Sequence, residues 1–564
     1  MRNSLLWNIF VAGSLAAPQA ATSTSSASGS VCTGNTASDR SVWCDYDIQT
    51  DWYTEVPDTG ETVEYWFEIT NTTVSPDGIE RMALTVNGSI PGPTIEANWG
   101  DTVVIHVTNS MQNNGTGIHW HGIRQNWTNW MDGVPSITQC PIAPGDSMTY
   151  TWRATQYGSS WYHSHFSLQA WVGVFGAMVI HGPASANYDE DIGPVVLSDW
   201  SHQTADELYT YAQTQGPPTL DNGLINGLNV FNDSGTITGS RWETTVASGS
   251  SYRLRLVNTA IDTHYKFSID GHNLTVIAAD FVPVEPYSTQ VLDINMGQRY
   301  DVILTADQAA ADYWIRAVPQ LSCSSNAMTD NIRGILRYDA SSTAEPSTTA
   351  YSYTDECVDE PYASLVPALA LNPTSLVETD DTDMPVTVGV LNSLFKWYIS
   401  AKTMAVQWGD PTSLAAANGQ TEWTDSDHVV ELSQVNEWVY FVIETTQGVP
   451  HPFHLHGHDF WILAAGTGTY SDAVTLNTAN PPRRDVATLP ASGYIVIAFY
   501  TDNPGAWLMH CHIGWHTSEG LALQFLERAS EIASVVSTAD MNRTCTAWDA
   551  YANESGVVEE DSGV

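Results

Sequence analysis

Lysine is nearly absent from this chain: Lys266, Lys396 and Lys402 are the only three in 564 residues. Basic residues of both kinds number 19 against 63 acids, a formal charge of −44. A surface of that sign repels phosphate backbones and anionic headgroups, so nucleic acid is excluded as a partner and peripheral membrane binding is disfavoured. Uninterrupted apolar runs of the roughly 18 residues that a membrane-spanning helix needs are missing too. Charged residues make up only 15% of the chain and apolar residues 43%, a balance that fits packed cores and excludes long disordered stretches. At roughly 100–200 residues per domain, the length allows three to five domains.

The beginning of the chain reads as an export signal. Arg2 precedes an apolar stretch from Leu5 to Ala12, and small residues follow at Leu15-Ala16-Ala17 and Gln19-Ala20-Ala21, so residues 1–21 are expected to be a leader. Eight Asn-x-Ser/Thr sequons (Asn71, Asn87, Asn114, Asn126, Asn232, Asn273, Asn542 and Asn553) fit a secreted, extracellular glycoprotein. The cysteines number seven, an odd count. In an oxidising compartment six would pair and one would be left over. Cys511 lies between His510 and His512, an arrangement suited to metal. Among the other six, fifteen pairings are open in principle. Proximity along the chain favours Cys32–Cys44 and Cys323–Cys357, leaving Cys140–Cys545 as a long clip between the first and last thirds.

Strands punctuated by Gly, Pro and Asn recur along the chain. Thr102–Thr108, Tyr252–Asn258, Tyr300–Leu304, Val439–Ile443 and Tyr494–Phe499 show apolar residues at period two or in short β-branched runs. Convincing helices are few, with one candidate region inside Leu521–Val536. The pattern indicates an all-β protein of sandwiches or barrels. A weak internal repeat is visible. Gly100–Asn109 is followed by a histidine cluster at 119–121, and Asn436–Glu444 by another at 451–458. Ser251–Asn258 in the middle third is a similar strand with no cluster after it. Three related β-domains, with metal residues only in the outer two, is the simplest account. They are expected at 22–182, 183–365 and 366–564, with Ser341–Thr354 as a loop or linker.

Seventeen histidines are unremarkable in number, but their spacing is not. Random placement gives roughly 0.5 His-x-His pairs; five occur. They fall in four segments: His119-Trp-His121, His163-Ser-His165, His451-Pro-Phe-His454-Leu-His456-Gly-His458 and His510-Cys-His512-Ile-Gly-Trp-His516. Residues i and i+2 of a strand share a face, so each pair aims two imidazoles at one point. Two histidines with one thiolate suit copper, and Cys511 with His451 and His516 supplies that set. Cys511 points opposite to its neighbours in an extended stretch, so His510 and His512 must face a different metal group. Zinc is the alternative, but ten imidazoles exceed what one tetrahedral zinc site uses.

The four-segment combination, with Met131-Asp-Gly-Val-Pro135, Thr138-Gln-Cys-Pro-Ile142 and Ser268-Ile-Asp-Gly-His-Asn273, resembles the multicopper oxidases, and among them the laccases of filamentous ascomycete fungi. The resemblance covers nearly the whole chain after the leader. It implies three cupredoxin-like Greek-key domains and four copper ions. A type 1 copper would take His451, Cys511 and His516, a type 2 copper His119 and His454, and a type 3 pair His121, His163, His165, His456, His510 and His512. Half of the cluster ligands would then come from the first domain and half from the third, with the middle domain contributing to the substrate pocket. His458 is not a ligand in the family and reads as supporting structure; His106, His181, His202, His264, His272 and His428 read as packing or surface residues. The axial position is Leu521, which cannot ligate, so the type 1 potential should be fairly high.

The family's activity is the oxidation of phenols or aromatic amines, one electron at a time, coupled to reduction of O2 to two waters. Asp132 matches the family's acid beside the cluster, a proton donor. Asp262 aligns with the acid that accepts a phenol's proton near His516. Phe395, Trp397 and Trp515 align with walls that hold an aromatic ring. A ferroxidase is the rival inside the family, but Gln447 and Gly514 stand where those enzymes carry acids. A copper-storage protein is the rival outside it, and it would not need Cys511 to join two metal groups. The final Asp561-Ser-Gly-Val564 resembles a tail that plugs a channel to the cluster; a plain acidic tail is the other reading. A monomer or weak dimer is expected.

Overall fold

The structure is a computed structural model that describes residues 33–559 and 561–564. The expected leader and the Cys32–Cys44 pairing fall outside the described residues. Strands dominate, and they fall into paired sheets along the chain. In the first third Arg81–Val86, Thr62–Val74, Thr102–Asn109 and Ser147–Arg153 make one sheet, and Gly92–Asn98, Phe175–His181, Gly158–Ser164 and Ile118–Trp120 the other. Each of the next two thirds pairs a six-stranded sheet with a five-stranded one, using strands from Glu190 to Arg337 and from Asp383 to Glu527. The architecture is all-β, as expected. Period-two patterning sets the layers: in Ser147–Arg153, Met148, Tyr150 and Trp152 are buried and the residues between them exposed.

The weak repeat has a topological counterpart. The opening strands Thr62–Val74, Glu190–Trp200 and Asp383–Leu391 run parallel to Thr102–Asn109, Ser251–Asn258 and Trp438–Thr445 respectively. Those three partner strands are the segments whose likeness is visible in the sequence. A parallel pair cannot be closed by a hairpin, so each third needs a long crossover. Residues 341–354, expected as linker, contain no helix or strand.

Helix placement differs from the sequence reading. Ala522–Glu527 is a strand, and helix is confined to the end of the candidate region, a 3-10 turn Ala529–Glu531 running into Ile532–Val535; the long helix is Thr538–Ser555. Ala522–Glu527 is apolar on both faces, so its periodicity is ambiguous, and pairing with Gly505–Cys511 decides its state. Helix Ala205–Gln215 has a capping box, Thr204 with Glu207, that the sequence reading missed. The Cys140–Cys545 disulfide fastens the last helix to the first third, and Cys323–Cys357 is also formed. Among the described residues Cys511 alone is a free thiol.

This fold brings the histidine segments together in two steps. Within the first third, Ile118–Trp120 pairs with Gly158–Ser164, setting His119 opposite His163. Within the last, His451–Leu455 pairs with Gly505–Cys511, setting His454 opposite His510 and Phe453 opposite Cys511. All four strands are buried on both faces. Alternate residues therefore enter two separate interior spaces.

Candidate metal centre

Eight histidines from the outer thirds meet in one buried space. Potential ligand atoms of His121, His163 and His512 lie within 4.8 Å of one another, as do those of His165, His456 and His510, and those of His119, His121 and His454. Rings of the two thirds touch directly: His121 stacks on His454 at 3.8 Å and His119 meets His456 at 3.9 Å. The strands aim the pairs, and the docking of first and last thirds closes the group.

Six of the eight imidazoles are oriented by what their second nitrogen touches. Nδ1 of His119 bonds the Asp132 carbonyl at 2.9 Å, that of His454 the Asp485 carbonyl at 2.9 Å, and that of His456 the Asp132 carboxylate at 2.8 Å. His163 and His510 use the backbone carbonyls of Ser164 and Cys511. His121 is reversed, with Nε2 against Asp485 Oδ1 at 3.2 Å. The nitrogens left over have no hydrogen-bond partner although they are buried: Nε2 of His119, His163, His165, His454, His456 and His510, Nδ1 of His121, and both nitrogens of His512. So many unpaired buried acceptors facing one space are costly unless a cation binds them. Burial, reinforced by neighbouring imidazoles, drives the pKa of His121, His163, His165, His456, His510 and His512 well down, so these rings are neutral and able to ligate.

Cys511, His451 and His516 form a second group, all from the last third. Sγ of Cys511 lies 3.7 Å from Nδ1 of each histidine. Burial pushes the thiol's pKa up and brings that of His451 down to about 3, so a bound cation is needed to draw the thiolate out. Of the two rings His516 is the more exposed, 5% against 0%. Leu521 is fully buried behind the group; its N–H donates to the His516 carbonyl and its own carbonyl accepts from Cys511 N–H. Trp397 packs on both rings, at 4.7 Å from His451 and 4.4 Å from His516. Phe395 shares that strand, half-buried two residues earlier.

Asp262 comes from the middle third. Three backbone N–H groups, of Ile261, Asp262 and Thr263, donate to Asp199 and shape the loop that carries it. Its Oδ2 is buried and unpartnered. Burial, then the charge of Asp199, push its pKa well above the carboxylate range, with Trp515 opposing. On the cluster side a cavity of about 310 Å³ is lined by His163, His165, His510, His512, Trp171 and Val564. The tail is built in: Ser136 Oγ donates to the Gly563 carbonyl at 2.6 Å and Val564 is 2% exposed.

The multicopper oxidase family matches the chain over residues 68–185, 191–341 and 396–531. The chain belongs to the multicopper oxidases. It is 49% identical to laccase-2 of Botryotinia fuckeliana, over 94% of this chain and 93% of that protein. It is 43% identical to the laccase of Cryphonectria parasitica, over 94% of each. The crystal structure of the laccase from Botrytis aclada superposes with a TM-score of 0.90 at 48% identity, covering 94% of this chain and 100% of that one. Copper is therefore the metal of this multicopper oxidase, and both histidine groups fit it: neutral imidazoles with free nitrogens, and a thiolate beside two of them.

One feature of this multicopper oxidase centre was not legible in the sequence. Asp485 bonds the rings of both His121 and His454 and forms a two-point ion pair with Arg299 of the middle third at 2.6 Å. Nothing in its spacing links it to a histidine motif. His458 is held off the centre: Nδ1 faces the His456 carbonyl at 3.2 Å and Nε2 lies 3.0 Å from Glu527. The six other histidines bond elsewhere, for example His202 to Asp77 and His264 to Asp293.

Proposed function

We propose that the chain is a secreted laccase that holds four copper ions and oxidises phenols or aromatic amines at the expense of O2. In this reading His451, Cys511 and His516 hold a type 1 copper and His119 with His454 a type 2 copper. His121, His163 and His512 hold one type 3 copper, and His165, His456 and His510 the other. Copper in these sites supplies one-electron chemistry, taking electrons singly from the donor and delivering four to O2 to make two waters. One observation carries the reading: Cys511 in one metal group is flanked in sequence by His510 and His512 in the other, which makes a short covalent path between them.

The protein's own groups do the rest. Trp397 and Leu521 keep water from the type 1 ligands, and Leu521 offers no donor atom to an axial position. Asp262 stands where a phenol losing an electron must lose its proton, and Trp515 with Phe395 forms walls for the ring. Asp132 accepts the Nδ1–H of His456 and lies within 3.1 Å of His119 Nδ1, so it orients two ligands and can hold a proton beside the oxygen-reducing space. Ferrous iron is a poor donor here. Gln447 is uncharged, and a Cβ at Gly514 would meet Trp171 at 2.5 Å and Ile261 at 2.7 Å, leaving no room for an acid. Among the described residues no helix is long and apolar enough to cross a membrane. All eight sequon asparagines are exposed, which supports export and glycosylation.

The test is copper content, a visible spectrum and oxygen uptake with a simple phenol. Four coppers per chain, strong absorption from the Cys511 thiolate and one O2 consumed per four donors are expected. Copper binding without oxygen uptake would leave a storage protein instead.

A further inference from the structure

A narrow, half-open cleft beside Trp515 and Ile261, the neighbours of His516 and Asp262 in the chain, contains an arginine with no anionic partner. Arg81, at the start of strand Arg81–Val86, is 8% exposed. Its guanidinium sits 3.7 Å over the ring of Trp200 and makes a single long hydrogen bond, from Nη1 to the Gln203 carbonyl at 3.4 Å. Its Nε is buried and has no partner. Burial lowers its pKa to about 10, which leaves it charged at neutral pH. Glu207, Asp77 and Asp206 act on it only through space, and two of the three have other partners. Asp77 accepts from His202 at 2.9 Å and Asn222 at 3.0 Å, while Glu207 closes the cap of helix Ala205–Gln215.

Three tryptophans share the lining with small polar and aliphatic side chains, among them Ser201, Gln203 and Leu208. Trp171, Trp200 and Trp515 face the cleft; the indole N–H groups of Trp171 and Trp200 are buried without a partner, while that of Trp515 acts on Asp262. Ile261, next to Asp262, also lines it. The one carboxylate in the lining, Asp199, is taken up by the N–H groups of Ile261, Asp262 and Thr263 and by the Thr263 hydroxyl. A buried guanidinium with free donors is expensive to keep, above all in a chain with so few bases, and interiors normally pair it. Aromatic walls with a few convergent polar groups are the usual form of a small-molecule site.

We propose that this cleft selects aromatic donors bearing an anionic group, with the ring among the indoles, a carboxylate on Arg81 and the oxidisable end toward Asp262 and His516. The proposal rests on the laccase reading, and names the substrate class of that same site. Arginine recognises a planar carboxylate through charge-assisted hydrogen bonds, which a neutral ester cannot replace.

The experiment compares a phenolic carboxylic acid with its methyl ester, for example syringic acid with methyl syringate, on the copper-loaded full chain. The unmodified protein should favour the acid in KM by about tenfold, the scale of one hydrogen bond to a charged group. Arg81→Gln should lower the acid-to-ester ratio of kcat/KM by about tenfold or more, and Arg81→Lys should restore part of it. An unmoved ratio, or an original preference for the ester, would overturn the proposal. Because Arg81 is buried, calorimetry on the unmodified holoenzyme gives a second arm that needs no variant and no turnover. Titration with 4-methoxybenzoate should show binding at least about tenfold tighter than 4-methoxybenzamide; equal affinities, or no binding of the anion, would overturn it. Failure of oxygen uptake with both the acid and the ester would break the laccase reading instead, and the calorimetry would then decide the anion site alone.

Discussion

The two metal-binding groups are joined through Cys511 yet are built on different plans. The thiolate group takes all three ligands from the last third and is walled by Trp397 and Leu521. The eight-histidine group draws on two thirds of the chain, and its rings are held by carboxylates and carbonyls in addition to the packing of Trp161 on His121, His163 and His512. The first is complete once one domain folds. The second exists only after domains dock, and the middle domain helps to lock it through the Arg299–Asp485 and Arg484–Asp280 ion pairs. A local site is tuned by apolar contacts, whereas an interfacial one needs polar clamps to fix rings that no single strand pairing can orient.

The contrast can be broken most severely at the shared residue. Cys511→Ser should abolish the thiolate absorption and donor oxidation while the eight-histidine group keeps its copper. Loss of all copper on metal analysis would mean that the groups do not form separately. Asp485→Asn should do the reverse. It leaves buried Arg299 with Asp280, 3.4 Å away, as its remaining carboxylate partner, so the cost falls short of the roughly 3–5 kcal/mol of a fully unpaired buried charge. The substitution should lower the denaturation midpoint and cluster copper while sparing the thiolate absorption. The same ion pair has a pH signature. Burial alone would raise the Asp485 pKa, but Arg299 and His454 hold it well below the carboxylate range. Its stabilisation is therefore complete above the unfolded carboxylate pKa and is lost as pH falls toward the depressed value. Denaturation midpoints measured down the acid range should show that loss, and Asp485→Asn should flatten it.

Smaller effects sharpen the comparison. Asp262→Asn should slow oxidation of phenols by about 10²-fold, and should affect donors that release no proton much less; equal losses would remove Asp262 from the proton path. Asp132→Asn should slow reoxidation by O2 about tenfold to a hundredfold and leave reduction of the thiolate group unchanged in stopped-flow traces. Leu521→Met is the mildest. The swap conserves volume, costing under about 1.5 kcal/mol, and should lower the type 1 potential in a spectroelectrochemical titration. A potential that stays put or rises would count against an axial role.

The metal ligands were legible because strand parity is simple. A His-x-His pair on a strand has one geometry, and four of the five such pairs converge as that geometry requires, His456 with His458 being the exception. Cys511 could be assigned to a different group from its neighbours by the same parity. Asp485, Arg299 and Arg81 carried no such mark. An acid in Pro-Pro-Arg-Arg-Asp485, or a lone arginine opening a strand, becomes informative only when its neighbours in space are known. The short helix after Glu527 falls in the region read as helical, whereas the long helix Thr538–Ser555 was missed, because only Met541, Cys545 and Trp548 mark its apolar buried face.

By itself the amino-acid order determined which histidines share a strand face, that Cys511 faces away from its neighbours, and the all-β character of the chain. Those properties follow from local rules, the two-residue alternation of strands and the chemistry of imidazole and thiolate. The tertiary structure decided which nitrogen of each ring is free, which buried charges are clamped and which, like Arg81, are left open. Those depend on contacts between residues hundreds of positions apart, and no local rule encodes them.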